Sequence, residues 1–304
     1  MVGSFFSSQP SNLILQNSNE LRDTDTNSPL ISPLLECGDL SNISNKQVSD
    51  IREKVQYYID TQSRNGVQNV SVYFRDLNNG PWFGINEKDL FTPGSLLKVP
   101  LMISVYKEAM SDPNLLHKKL KYTGTEDYEQ NITPELKIEP GKDYSVDDMV
   151  SYMIKYSDND AADILFRSLN MKQLVDSYTE LGVSPPANDQ YTVSVKNYAS
   201  FFRILYNATY LDHGYSQKAL QLLTQTAFNQ GIVAGVPNAI TVAHKFGERG
   251  FENSSQKQLH DCGIVYYPNQ PYLLCIMTRG NDFSTLEHVA TDISRVIYQE
   301  LSAE

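Results

Sequence analysis

Only three of the 304 residues are cysteine, Cys37, Cys262 and Cys275. That is too few for a disulfide scaffold, and the close pairing of a zinc site is missing. Structural burial is the default expectation for all three. Cys262 and Cys275 fall on neighbouring strand-like segments, so one bridge between them stays open in an oxidising compartment, with the register unset by sequence. The five histidines are scattered and form no ligand cluster, so no metal and no cofactor are expected. Basic residues number 25 against 36 acidic ones, and the resulting net charge of −11 argues against nucleic acid or an anionic membrane as partner. No apolar run approaches the ~18 residues of a membrane span, and Met1-Val2-Gly3-Ser4-Phe5-Phe6 lacks the basic region and apolar core of a signal peptide. Any export segment is expected to be absent from this chain.

The rest of the composition, 40% hydrophobic and 20% charged, is that of a soluble globular protein with a substantial core. Residues 1–46 are rich in Ser, Asn and Asp and read as a flexible extension with one apolar docking patch, Leu30-Ile31-Ser32-Pro33-Leu34-Leu35. Val48, Ile51, Val55, Tyr58 and Ile59 have helical spacing, which predicts an amphipathic helix over 47–64 that stops at Gly66. Two strand-like runs, 70–76 and 82–86, flank an Asn79-Gly80 hairpin signal. From 92 to about 225 the pattern is helical, with no strand signal. Strands return at 241–247, 261–267 and 272–278 as a meander, and a last helix carries Leu286, Val289, Ile293, Val296, Ile297 and Leu301 on one face. The expected fold is α/β of the α+β sandwich type: an antiparallel sheet flanked by N- and C-terminal helices, with an inserted all-helical domain. Residues 47–93 and 235–304 make the α/β domain, and 94–234 the helical one.

Ser95 and Lys98 stand one helical turn apart in Thr92-Pro93-Gly94-Ser95-Leu96-Leu97-Lys98-Val99-Pro100, where an extended segment gives way to an apolar helix. A serine is a poor nucleophile without a base in hydrogen-bond reach, and a lysine at i+3 can be that base once it is desolvated and loses its proton. The same spacing recurs at Ser104–Lys107 and Ser254–Lys257. Ser104 lies inside a helix, where its hydroxyl can bond back one turn, and Ser254 lies in a polar loop with no apolar wall. Only Ser95 has a Pro-Gly turn before it, a helix start and an apolar shell. Read alone, it is equally well a helix N-terminal serine beside a snorkelling lysine. Ser157-Asp158-Asn159 lies between two helical stretches and would by itself be a helix cap. Lys245-Phe246-Gly247 lies on a strand, where the lysine would by itself be an edge-strand charge.

In chain order, Ser95-x-x-Lys98, Ser157-Asp158-Asn159 and Lys245-Phe246-Gly247 together resemble the motif set of the penicillin-recognising serine enzymes, class A β-lactamases and penicillin-binding proteins. The resemblance covers about residues 47–304. It implies that Ser95 attacks a β-lactam or peptide carbonyl, that Lys98 accepts or relays the proton, and that Ser157 passes a proton to the leaving nitrogen. It further implies that Asn159 bonds the substrate's side-chain amide and that Lys245 holds positive charge near its carboxylate. Gly247 and Glu248 would line the site, with the N–H groups of Ser95 and Glu248 as an oxyanion hole worth ~3 kcal/mol per donor. A monomer acting on a small β-lactam or peptide outside the cytoplasm is expected.

Two departures bear on activity. Phe246 stands where the family carries a small hydroxyl residue, which leaves the carboxylate contact to other groups, with Arg249 and Arg279 as candidates. The family's Glu-x-x-Leu-Asn loop, whose glutamate activates the deacylating water, has no counterpart, and the stretch from Leu181 to Tyr191 looks shortened, with Asp189 as its only carboxylate. Slow deacylation is therefore expected of a β-lactam hydrolase here. A D,D-peptidase-like enzyme and a non-catalytic binding protein are the two other readings.

Overall fold

The structure is a computed structural model and describes residues 28–33, 42–124, 130–132, 134–168, 171–186, 191–251 and 254–303. Helix α1 (Asn45–Gln62) starts where the Ser44 side chain accepts from Gln47 N–H, buries Val48, Ile51 and Val55, and ends in a 3₁₀ turn closed by Gly66 at φ +82°. Strands β1 (Val67–Asp76) and β2 (Trp82–Ile85) form the hairpin, with Asn79 at φ +64°. β3 (Leu90–Phe91) leads into a 3₁₀ turn, Gly94–Leu97, and then helix α2 (Lys98–Ala109).

Short strands β4 (Lys119–Lys121) and β5 (Asp143–Ser145) pair ahead of the helices α3 (Val146–Lys155), α4 (Asn159–Ser168) and α5 (Met171–Thr179). β6 (Val193–Ser194) pairs back to β3 and is followed by α6 (Val195–Asn207) and α7 (His213–Leu223). The all-helical expectation for this stretch is thus corrected. Segments two or three residues long are too short to show an alternating pattern, and each ladder exists because a distant segment supplies its partner.

The meander is as expected in order, β7 (Val242–Gly250), β8 (Lys257–Val265) and β9 (Tyr272–Gly280), but all three strands are longer than the apolar runs that announced them. β8 begins four residues early because its polar residues are buried against specific partners. Gln258 Oε1 accepts Thr92 N–H at 3.0 Å, and His260 Nε2 lies 3.0 Å from the Thr92 carbonyl. Helix α8 (Phe283–Ser302) buries Leu286, Val289, Ile293, Ile297 and Leu301, as its stripe predicted.

The five-stranded antiparallel sheet has the order β2-β1-β9-β8-β7. One face packs on α1 and α8, with Val55, Val72, Phe74, Leu274, Ile276 and Ile293 in a common cluster. The other face, through Tyr73, Ala243, Ile264, Leu273 and Met277, joins the core of the helical part around Met102, Met153, Phe202 and Leu220. Cys262 and Cys275 lie opposite each other on β8 and β9, Cα atoms 4.0 Å apart, and form a disulfide on that second face. The docking patch is seen as far as Pro33: Leu30 and Ile31 are buried, Leu30 N–H donates to Gln217 Oε1 at 2.9 Å, and Ser32 N–H donates to the Tyr206 carbonyl at 2.6 Å. Leu34, Leu35 and Cys37 lie outside the described residues.

Candidate active site

The turn that carries Ser95 is shaped by two close approaches. Gly94 has φ +54°, and a methyl group there would run into the Glu248 carbonyl oxygen. A Cβ on Gly247 would sit 2.5 Å from the Pro93 carbonyl oxygen. The Pro93–Ser95 backbone and strand β7 therefore touch directly, which brings Gly247 and Glu248 beside the nucleophile. Tyr198, fully buried on α6, donates from its hydroxyl to the Leu96 carbonyl at 2.8 Å and fixes the turn from below. Nothing in the sequence singled out Tyr198.

Lys98 opens α2 and is 5% exposed. Its Nζ lies 2.9 Å from Ser95 Oγ, 2.5 Å from the Ser157 carbonyl, 2.6 Å from Asn159 Oδ1 and 3.1 Å from Ser157 Oγ. The two shortest contacts are to atoms that only accept, which matches the two N–H bonds of a neutral amine and leaves its lone pair facing the Ser95 hydroxyl. Burial favours that neutral form: desolvation outweighs the attraction of Asp158, Glu248 and Asp160 and brings the Lys98 ammonium down to about 7.

Lys245 is completely buried, so its edge-strand position does not make it an exposed edge charge. Its Nζ donates to Ser157 Oγ at 3.0 Å and to the Phe246 carbonyl at 2.9 Å. Desolvation first, and repulsion by Lys98 second, hold it well below the usual lysine range. Among the described residues neither lysine is in an ion pair.

Both lysines converge on Ser157, which is 1% exposed and sits at φ +57°, a left-handed conformation that costs a non-glycine residue on the order of 1 kcal/mol or more. That conformation aims both its carbonyl and its hydroxyl at Lys98. Lys245 donates to Ser157 Oγ and Lys98 Nζ lies 3.1 Å from the same oxygen, which leaves the hydroxyl's own hydrogen to donate elsewhere. Asp158 is the helix cap that the tripeptide suggested: Oδ1 accepts from Asp160 and Ala161 N–H at 2.9 and 3.1 Å, and Oδ2 accepts from Ile138 N–H at 2.7 Å.

The two lookalike pairs behave as their contexts predict. Ser104 donates to the Pro100 carbonyl at 2.8 Å while Lys107 donates to the Tyr210 carbonyl, and Lys257 lies over the Phe283 ring. Neither candidate for replacement charge points at the lysines. Arg279 donates to the Leu90 carbonyl and covers the Phe91 ring, and Arg249 lies over Phe251. Phe246 turns into the core beneath the sheet, 5% exposed, where its ring stacks on Phe228 with centroids 4.2 Å apart. Lys245 Nζ lies 4.2 Å from the centroid of the same ring. Asp189 lies outside the described residues.

The chain is similar to the extended-spectrum beta-lactamase PER-1 of Pseudomonas aeruginosa, 21% identical over 236 residues that span 71% of this chain and 77% of that protein. Among solved structures, a beta-lactamase from Chitinophaga pinensis superposes with a TM-score of 0.73 at 21% identity, covering 84% of this chain and 100% of the other. PBP-A superposes with a TM-score of 0.71 at 21% identity, covering 84% and 97%. One variant of PBP-A, matched with a TM-score of 0.71 at 20% identity over 84% and 98%, was solved as an acyl-enzyme complex with penicillin G. Residues 50–301 match the Beta-lactamase enzyme family, and the chain belongs to that family of serine hydrolases acting on β-lactams.

Proposed function

We propose that the protein is an acyl-enzyme β-lactamase of the class A plan in which acylation is competent and deacylation slow. The single observation that supports this reading most is the Ser95–Lys98–Ser157–Lys245 cluster, two buried amines and two hydroxyls linked by contacts of 2.9, 3.1 and 3.0 Å. In the proposed reaction the neutral Lys98 takes the Ser95 proton as Oγ forms its bond to the lactam carbonyl carbon. The C–N bond then breaks, and the nitrogen receives a proton from Ser157, which Lys98 resupplies. The N–H groups of Ser95 and Glu248 stabilise the oxyanion, and Asn159, whose Oδ1 is taken by Lys98, offers its amide hydrogens to the acyl side chain.

Water must next be activated to release the acyl group, and the Glu-x-x-Leu-Asn loop that would carry the activating glutamate has no counterpart in the sequence. Asp158 accepts three backbone N–H groups, and one oxygen of Glu248 accepts two. The second reading is a penicillin-binding enzyme acting on cell-wall peptides; the PBP-A variant captured with penicillin G attached supports a lasting acyl-enzyme under either reading. Either substrate class supports a location outside the cytoplasm, as does the Cys262–Cys275 bridge. Incubation with a fluorescent penicillin and, in parallel, a chromogenic cephalosporin separates the readings. Stoichiometric labelling that Ser95→Ala abolishes, with slow colour development, is the expected result. Rapid multiple turnover without lingering label would overturn slow deacylation, and neither signal would point to a binding protein.

A further inference from the structure

Glu248 does more in the structure than offer a backbone N–H. Its Oε1 accepts the N–H groups of Asn131 and Ile132 at 2.8 and 3.0 Å, although 117 and 116 residues separate them. Next to Asn131, Gln130 donates from Nε2 to the Ser157 carbonyl at 2.9 Å, the same oxygen that accepts from Lys98. Ile132 packs against the core beneath the sheet, and Asn131 Oδ1 lies 3.1 Å from where a Cβ on Gly250 would stand. The short segment 130–132 is thus tied at one end to the loop carrying Ser157 and at the other to strand β7.

The tie fixes the position of the Glu248 carboxylate. Its second oxygen, Oε2, is buried with no hydrogen-bond partner among the described residues, and so is Gln130 Oε1. A carboxylate with an unused acceptor oxygen is therefore held on the residue whose backbone would contact the substrate carbonyl. Both Lys98 and Lys245 feel its field.

We infer that Glu248 is a specificity-determining residue that selects, among β-lactams, those whose acyl side chain carries an ammonium or other N–H donor and disfavours those whose acyl side chain is anionic. The inference rests on the acylation proposed above. The carbonyl under attack lies within hydrogen-bond reach of the Glu248 backbone, so a charge on the acyl arm comes within roughly 10 Å of the carboxylate, where one unit charge changes affinity by about tenfold. The ring carboxylate shared by all penicillins cancels when two penicillins are compared on the same enzyme.

The test uses three penicillins that differ only in the acyl arm: benzylpenicillin, ampicillin with an α-ammonium, and carbenicillin with an α-carboxylate. Acylation second-order rate constants are measured for the full chain and for Glu248→Gln, which keeps an acceptor oxygen for the two N–H groups and removes the charge. The ampicillin-to-carbenicillin ratio is expected to fall about a hundredfold in the variant, about tenfold for each of the two opposite arm charges. In the unsubstituted protein the same ratio is expected to shrink as salt rises toward 1 M, which checks the inference without any variant. A ratio that neither substitution nor salt moves would overturn the selectivity while leaving the Ser95 chemistry intact. Acylation by none of the three would remove the proposed reaction and the selectivity with it.

Discussion

The chemistry depends on whether one amine is neutral. Lys98 loses its proton at about 7 because burial costs the ammonium its water. Below that value the lysine is charged and cannot accept the Ser95 proton, so the acylation rate constant should fall about tenfold per pH unit on the acid side of 7 and level off above it. A pH profile of acylation measured with benzylpenicillin checks this, and a flat profile down to pH 5 would exclude Lys98 as the acceptor. The same burial has a cost in stability. The unfolded chain keeps this proton up to the ordinary lysine value of 10.5, whereas the folded one releases it near 7. The unfolded state therefore binds more protons across that window, and the destabilisation from this group is full below pH 7 and relieved as pH rises through it. Lys98→Met should accordingly lower the acylation rate constant by at least ~10³-fold while raising stability at pH 6 by about 1–3 kcal/mol, read as an increase in Tm. These side chains were legible in the sequence because their types and order were. The left-handed turn at Ser157 and the support from Tyr198 were not, since a positive φ at serine and a hydroxyl reaching a distant carbonyl are set by packing alone.

The elements bring these residues together from three distant stretches of chain, and the loop ahead of α4 is the part most dependent on a single group. Asp158 is fully buried and satisfies three backbone N–H groups, two at the start of α4 and one at Ile138. Asp158→Ala should leave all three without a partner and cost about 2–4 kcal/mol, measured by thermal or urea unfolding, with acylation slowed because Ser157 and Asn159 lose their placement. A change below 0.5 kcal/mol would show that the loop is held by other means. Helix α1, the hairpin, the meander and α8 were legible because each carries a period that one buried face imposes. The early start of β8 was not, because Gln258 and His260 look like loop residues until Thr92 is known to lie beside them. The pairings β3–β6 and β4–β5 escaped for a similar reason, each being too short to leave a pattern.

In the whole molecule, one sheet separates two cores, and the site lies where its edge strand β7 meets the turn before α2 on the helical side. The docking patch belongs to this scale, since Leu30 and Ile31 join the helical core and Tyr266 donates from its hydroxyl to the Leu30 carbonyl at 2.9 Å. Replacing Leu30 and Ile31 together by serine should lower stability by about 2–4 kcal/mol while leaving acylation kinetics unchanged, a separation that paired unfolding and labelling experiments read directly. Apolar residues in a polar extension made that patch visible in the sequence. Its partners, Gln217, Tyr206 and Tyr266, had to come from the fold. Acylation of Ser95 with slow release is read from a time course of intact-protein mass spectra after mixing with benzylpenicillin. Rapid gain of the mass of one whole penicillin is expected, borne by Ser95, persisting long after mixing and absent from Ser95→Ala. Consumption of the penicillin with no adduct at any time, or an adduct of equal yield on Ser95→Ala, would contradict it.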